Sequence, residues 1–239
     1  MMAADGFFLA PAVLSSLEEA VDMRWFYYLD LIGTFAFAVA GFLKAHQHKY
    51  DYFGALVLTA LPAVGGGTLR DLLVGGDRHP PFIFNDPTYL YIVFSVVIIG
   101  SILSKTVLAS GRKKKLLQRL LDLFDTVGLA AFTVIGVKVA LVAQLDWFWA
   151  PILAAMTCAG GGILSDIVLA RESDVLKGEL YEEVAAFGGL VLVGLLWLAN
   201  IVGHSFFYIV GSIALTLTLV FVLRVVVIKT GLRSPVLGS

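Results

Sequence analysis

Six ionisable side chains stand inside apolar runs of this 239-residue chain: Asp30, Arg70, Asp71, Asp125, Lys138 and Asp166. An isolated charge at the centre of a bilayer costs at least about 2.5–3.5 kcal/mol, so such groups pair in a bundle interior or line water. Two of the acids close the same motif, Gly65-Gly66-Gly67-Thr68-Leu69-Arg70-Asp71 and Gly160-Gly161-Gly162-Ile163-Leu164-Ser165-Asp166. Each glycine inside a helix costs about 1 kcal/mol relative to alanine, and Pro62 adds a second breaker to the first copy. The pattern predicts helices broken near mid-membrane, with backbone carbonyls and helix-end dipoles facing a wet pathway. The competing reading is close helix packing through small residues. For Asp30 and Asp125 the alternative is placement near helix N-termini, and for Arg70 and Lys138 a buried structural ion pair.

These residue types do not suit catalysis. The sequence holds no His/Cys metal-ligand spacing, no nucleophile elbow and no phosphate-binding loop, since both glycine triplets sit within apolar helices. We expect no enzyme activity, no cofactor and no tightly bound metal, only transient monovalent cations. His46 and His48 read as solvated loop residues, and Cys158, the single cysteine, excludes an intrachain disulfide. A net charge of -1 implies no nucleic-acid partner.

The elements that must position these residues follow from composition. Hydrophobic residues make up 59% and charged residues 15%, well under the roughly 25% charged of soluble domains. Seven apolar spans can be drawn, at about 25–44, 52–75, 88–108, 120–142, 147–170, 181–200 and 205–228. Tyr27, Tyr52, Tyr89, Trp147 and Trp197 are among the aromatic residues near span ends, as an interfacial belt requires. With the N-terminus outside, thirteen Lys and Arg lie in cytoplasmic segments and only Arg24 and Arg78 in outer ones, which favours N-out and C-in. The basic run 112–115 reads as a topology anchor. The first residues lack the basic start of a secretory signal and read as a mobile or interfacial segment.

A shift of 95 residues aligns 30–71 with 125–166 without a gap, and 17 of 42 positions are identical. The matches include Asp30/Asp125, Gly33/Gly128, Phe37/Phe132, Gly41/Gly136, Asp51/Asp146 and Asp71/Asp166, together with both glycine triplets. A three-span repeat is odd-numbered, so the second copy enters the membrane from the opposite side. The seventh span has no partner and braces the bundle. The expected fold is all-α: seven transmembrane helices as two inverted three-helix repeats plus one, with the second and fifth helices broken at the triplets. The expected division is an extracytoplasmic segment 1–24, a first repeat 25–110, a basic cytoplasmic linker 111–119, a second repeat 120–200, and a seventh helix with tail 201–239. By depth, Asp30, Arg70, Asp71 and Lys138 form an outer cluster of mixed charge. Asp125 and Asp166 form an inner cluster that is anionic alone, with Ser165 in place of the arginine.

At these residues the chain resembles the prokaryotic branch of the trimeric intracellular cation channel family, whose repeat is also labelled glycine-transporter-like. The resemblance covers about 25–228 and is most specific at the two glycine motifs; Asp125-Thr126-Val127-Gly128-Leu129-Ala130-Ala131-Phe132 also looks like the family's fourth span. It implies a three-plus-three-plus-one helix order, a symmetric homotrimer in a cell inner membrane, and a potassium-permeable pathway inside each protomer. The lipid-binding Lys-Glu-Val motif of animal members is not evident, and Ser165 departs from an arginine common in this branch.

Three functions are weighed. In a monovalent-cation channel, Gly65, Gly66, Gly67, Thr68, Gly160, Gly161, Gly162 and Ser165 line the pathway. Asp30, Asp71, Asp125 and Asp166 serve as mouth acids, and Arg70 and Lys138 as gate or ion-pair groups. A secondary transporter of a small zwitterion such as glycine would use the same broken helices. A non-conducting scaffold would pass neither. Partners beyond further copies of the chain are membrane lipids and the permeating cations.

Overall fold

The chain was analysed as a computed structural model that describes residues 9–104, 114–170, 180–203 and 205–234. Its helices are α1 (Pro11–Asp22), α2 (Arg24–Gln47), α3 (Tyr52–Ala60), α4 (Gly66–Val74), α5 (Phe82–Asn85), α6 (Thr88–Leu103), α7 (Lys114–Val142), α8 (Trp149–Val168), α9 (Glu182–Val202) and α10 (Phe206–Thr230). Six continuous segments are long and apolar enough to cross a bilayer: α2, α3 through α4, α7, α8, α9 and α10. The 16-residue α6 is a seventh, shorter apolar helix. Side chains such as Phe53, Ile98, Ile102, Ile201 and Phe207 stand exposed, as they do on a surface whose solvent is lipid. The protein is an integral membrane protein. Arg112 and Lys113 of the basic run 112–115 lie outside the described residues, and Lys114 and Lys115 open α7.

The glycine triplets do not break both helices. α8 runs unbroken through Gly160, Gly161 and Gly162. In the first copy a π turn over Leu61–Gly65 joins α3 to α4, which then carries Gly66 and Gly67 in regular α geometry. The difference has a local cause. Pro62 has no N–H to donate, so the ladder absorbs the missing bond by widening for one turn. The aligned residue in α8 is Thr157, which donates its hydroxyl to the Leu153 carbonyl at 2.6 Å and leaves the helix regular. Packing is what the glycines supply. A methyl on Gly66 would meet the Thr157 carbonyl, and one on Gly161 would meet the Leu61 carbonyl and Pro62.

The repeat is visible in the contacts. Thr157 and Pro62 are themselves 95 positions apart, as are Gly66 and Gly161. Gly33 faces Phe132 while Gly128 faces Phe37, and the two rings meet edge to face at 5.0 Å. Gly41 abuts Leu58, and Gly136 abuts Leu153 and Ala154. Lys49 and Gln144, again 95 apart, both take positive φ at the turn before the second helix. The halves differ at their third helix. In α9, Gly188 and Gly189 are buried and Gly189 lies against Pro151 of α8. In α6 the buried pair on that face is Val96 and Val97, and an open apolar groove of about 820 Å³ separates α6 from α3.

From residue 9 the N-terminal segment, expected to be mobile or interfacial, packs on the bundle, while residues 1–8 lie outside the described residues. α1 buries Val13, Leu17, Ala20 and Val21 and rests on α2, α7, α9 and α10. The Ala10 amide donates to Asn200 Oδ1 at 3.0 Å. The alternation of Val13, Leu17, Ala20 and Val21 at helical spacing is the sequence signal for this face.

Candidate functional site

Helix α2 ends at Gln47, and at that end lie the starts of α3, α7 and α9 and the ends of α8 and α10. Lys44, Lys49, Arg119, Lys229 and Arg233 make it the basic end. A cavity of about 350 Å³ enters the bundle there. Exposed His48 and Gln118 stand at its rim, and Pro62, Cys158 and Gly162 line its depth. Its walls carry the carboxylates of Asp122, Asp125 and Asp166 and the cations of Lys44 and Arg224.

Each of the two deeper acids is held from another helix. Lys44 Nζ of α2 donates to Asp166 Oδ1 of α8 at 3.2 Å. The Tyr181 hydroxyl donates to Asp125 Oδ1 at 3.2 Å, and Arg224 Nη2 of α10 lies 3.9 Å from Asp125 Oδ2. Arg224 also donates to the Leu180 carbonyl at 3.2 Å and stacks 4.8 Å above the Tyr181 ring. The inner cluster is therefore not anionic alone. Three carboxylates meet two cations, leaving one negative charge in excess along a wall that water can reach. Ser165 is buried with its hydroxyl on the Gly161 carbonyl at 2.9 Å. Gly162 has nothing within 4 Å of where a side chain would start.

At the opposite end the related residues are closed over. Arg70 clasps Asp71 Oδ1 through Nε and Nη2 at 2.9 and 2.7 Å, and both residues are buried. Asp71 Oδ2 accepts the Phe82 amide at 3.1 Å. The Phe82 ring covers Gly67, where an added methyl would stand 2.7 Å from it. It meets Tyr89 edge to face at 4.6 Å, and the Tyr89 hydroxyl donates to Asp30 Oδ2 at 2.7 Å. Thr68 returns its hydroxyl to the Val64 carbonyl at 2.7 Å, across the π turn. Lys138 does not join this cluster by a salt bridge among the described residues; its ammonium stands 5.4 Å over the Phe26 ring.

Asp30 lies six residues into α2 and Asp125 eleven into α7, too deep for either helix N-terminus to satisfy it. Tyrosines from the third helix of each half do so instead. Tyr89 is thus a buried partner and not a member of the interfacial belt. Sequence reading also passed over Lys44 and Arg224. Arg224 carried a usable signal, because it stands among Val222, Leu223, Val225 and Val226 within an apolar helix. Lys44 did not, since at the edge of a span it looks like any topology-setting lysine.

The family described as Glycine transporter matches residues 27–105 and, a second time, residues 122–197, one match over each half. The chain belongs to that family. Its relatives include a UPF0126 membrane protein of Vibrio cholerae, 39% identical over 174 residues, which are 72% of this chain and 69% of that protein. UPF0126 inner membrane protein YadS of Escherichia coli K12 is 40% identical over 166 residues, 69% of this chain and 76% of that protein. Among solved structures, the TRIC trimeric intracellular cation channel orthologue from Rhodobacter sphaeroides superposes with a TM-score of 0.73 at 27% identity, covering 88% of this chain and 100% of that one. A prokaryotic TRIC channel crystallised in 0.5 M KCl gives 0.73 at 25% identity, over 87% and 98%. The likeness expected from the two glycine motifs is borne out across nearly the whole fold.

Proposed function

We propose that this protein is a monovalent-cation channel, permeable to potassium, with a pathway inside each protomer of a homotrimer. The basic end faces the cytoplasm, and the halves are inverted copies related by an axis in the membrane plane. The observation that carries the reading is the acid-lined cavity, which runs from exposed His48 to Gly162 and Pro62 at the helix crossing. An excess carboxylate on a low-dielectric wall concentrates cations there. The likeness to the trimeric intracellular cation channel orthologue from Rhodobacter sphaeroides supports the same reading. The triplets serve the pathway by letting α4 and α8 touch, not by offering free carbonyls. Gly65, Gly66, Gly160 and Gly161 form the crossing, while Gly162 keeps the cavity floor open.

The test is recording from purified protein in planar bilayers with unequal potassium chloride. Currents that reverse near the potassium potential are expected. Replacing Asp125 and Asp166 together by Asn should lower unitary conductance severalfold, because it leaves Asp122 alone against Lys44 and Arg224 and turns the excess on the cavity wall positive. Absence of any current from protein that remains folded would sink the proposal.

A second reading, a carrier of a small zwitterion, is favoured by one feature. The cavity holds cations and acids together, and the far end is shut. The two readings part in liposomes: a channel passes potassium without saturation, whereas a carrier shows slow, saturable uptake driven by a gradient.

A further inference from the structure

The open cavity and the closed end are built from the same residues. Gly162, Ser165, Asp166 and Asp125 line the cavity; their counterparts 95 positions earlier are Gly67, Arg70, Asp71 and Asp30. In each half a tyrosine of the third helix holds the acid of the first, Tyr181 on Asp125 and Tyr89 on Asp30. What differs is cover. Space beside Gly162 is empty, while the same place beside Gly67 is filled by the Phe82 ring. Asp166 is bonded by a partly exposed lysine side chain, while Asp71 is bonded by the backbone of the residue that does the filling.

The cover is a separate piece of chain. Residues 75–87 link α4 to α6 as a short 3-10 turn, an extended stretch and the four-residue α5. Phe82 opens α5 and is half-buried, whereas Phe84 and Asn85 of the same turn are exposed. Among the described contacts, the inner face of this turn is held by the Phe82 amide on Asp71, the ring on Gly67 and Tyr89, and the guanidinium of Arg70 at 6.0 Å from that ring. Its far end is held by the Tyr27 hydroxyl on Asp86 at 2.7 Å. The Phe82 ring and amide are therefore what this turn sets against Gly67 and the buried ion pair, with Pro81 buried beside them.

We infer that the connection 75–87 is a removable plug over a second vestibule, the repeat-related twin of the open one, and that Phe82 is its seal. With Phe82 withdrawn, Gly67, Asp71 and Asp30 face the opposite solution as Gly162, Asp166 and Asp125 face the basic end. The inference rests on the conduction reading, because a plug has a consequence only if ions use the path it closes.

Two substitutions unseat the ring from opposite sides: Phe82→Ala removes it, and Gly67→Ala puts a methyl where it sits. Each is reconstituted in liposomes and read twice. Potassium flux is one readout. The other is modification of Cys158, which lines the open cavity, by Ag⁺ added at the end opposite the basic one, scored by protection from later alkylation. Silver is a thiol-reactive monovalent cation, so it reports the route separately from bulk flux. Both variants should raise flux severalfold over the unsubstituted protein and speed silver modification of Cys158 to match.

Flux in the unsubstituted protein that neither variant raises, with silver access also unchanged, overturns the plug and leaves the conduction reading standing. A fall in flux from either folded variant overturns it too, since the ring would then be supporting the path. No flux from any of the three proteins removes the conduction reading itself, and the plug with it. Should an alanine variant fail to fold, Phe82→Leu keeps an apolar side chain in the seat, and an intermediate rise is expected.

Discussion

Gly161 and Gly162 are neighbours with opposite tasks, and the contrast is measurable. A methyl on Gly161 would press into the Leu61 carbonyl and Pro62, while one on Gly162 would meet nothing. Overpacking a tight contact costs about 1–3 kcal/mol, so Gly161→Ala should lower thermal stability in detergent by that amount. Gly162→Ala should be neutral or stabilising by up to about 1 kcal/mol, as alanine is the better helix former. Equal effects at the two positions, read as melting midpoints by fluorescence-detected size exclusion, would refute the packing role. The tyrosine–acid pairs invite a parallel test. Tyr89→Phe and Tyr181→Phe each remove a donor from a carboxylate held inside the bundle. A loss of about 1–3 kcal/mol is expected, the range for leaving a charged acceptor short of a bond. None of these pairings could be read from the sequence, because Tyr89 and Asp30 are 59 residues apart and Tyr181 and Asp125 are 56. The acids themselves were legible, since charge inside an apolar run is conspicuous wherever its partner comes from.

At the scale of elements, the sequence gives away which segments are helices but not how closely they lie. The positive-φ turn recurs at Lys49 and Gln144, but the acids after it differ: Asp51 caps α3 by accepting the Gly54 amide, while Asp146 lies three residues ahead of α8, whose N-cap is Phe148. Pro62 was visible as a breaker, and the π turn is its consequence. The glycine triplets misled, because a propensity measured in water counts the cost of glycine in a helix and not the gain from letting two helices touch. The third helices were the least legible. Gly189 lets α9 close onto Pro151 and Ala154 of α8, and Gly188 lets it close onto Val220 of α10 and Thr133 of α7, whereas α6 buries Val96 and Val97 and leaves an open apolar groove beside α3. Gly189→Val should therefore force α9 away from Pro151 and destabilise the protein by about 1–3 kcal/mol. Val97→Ala opens no new clash, though it gives up a buried methyl pair, so the milder effect is expected there. Melting curves of the two variants side by side decide the matter.

At the scale of the whole molecule, six membrane-capable segments and a shorter apolar helix among the described residues, a duplicated module and an apolar outer surface describe something built to work inside a bilayer and in company. We propose the trimer as that company. Mass measurement of the protein released from native nanodiscs should give three chains per particle, and a stable monomer would contradict the proposal. The molecule is open at the basic end and shut at the other, although Gly67, Asp71 and Asp30 at the shut end repeat Gly162, Asp166 and Asp125 at the open one; Arg70, Ser165 and the Phe82 cover are what differ.

Helix α1 has a consequence for how the protein is made. Its Leu17 and Val13 are buried where α1 rests on helices that include α9 and α10, and Ala10 is tied to Asn200. Helix α1 is synthesised before α9 and α10, so its seat is complete only after those later helices have been threaded. Until then its apolar stripe has only the part of its seat that α2 and α7 provide. Its full docking therefore follows theirs, and a ribosome stalled before α9 would leave much of that stripe uncovered.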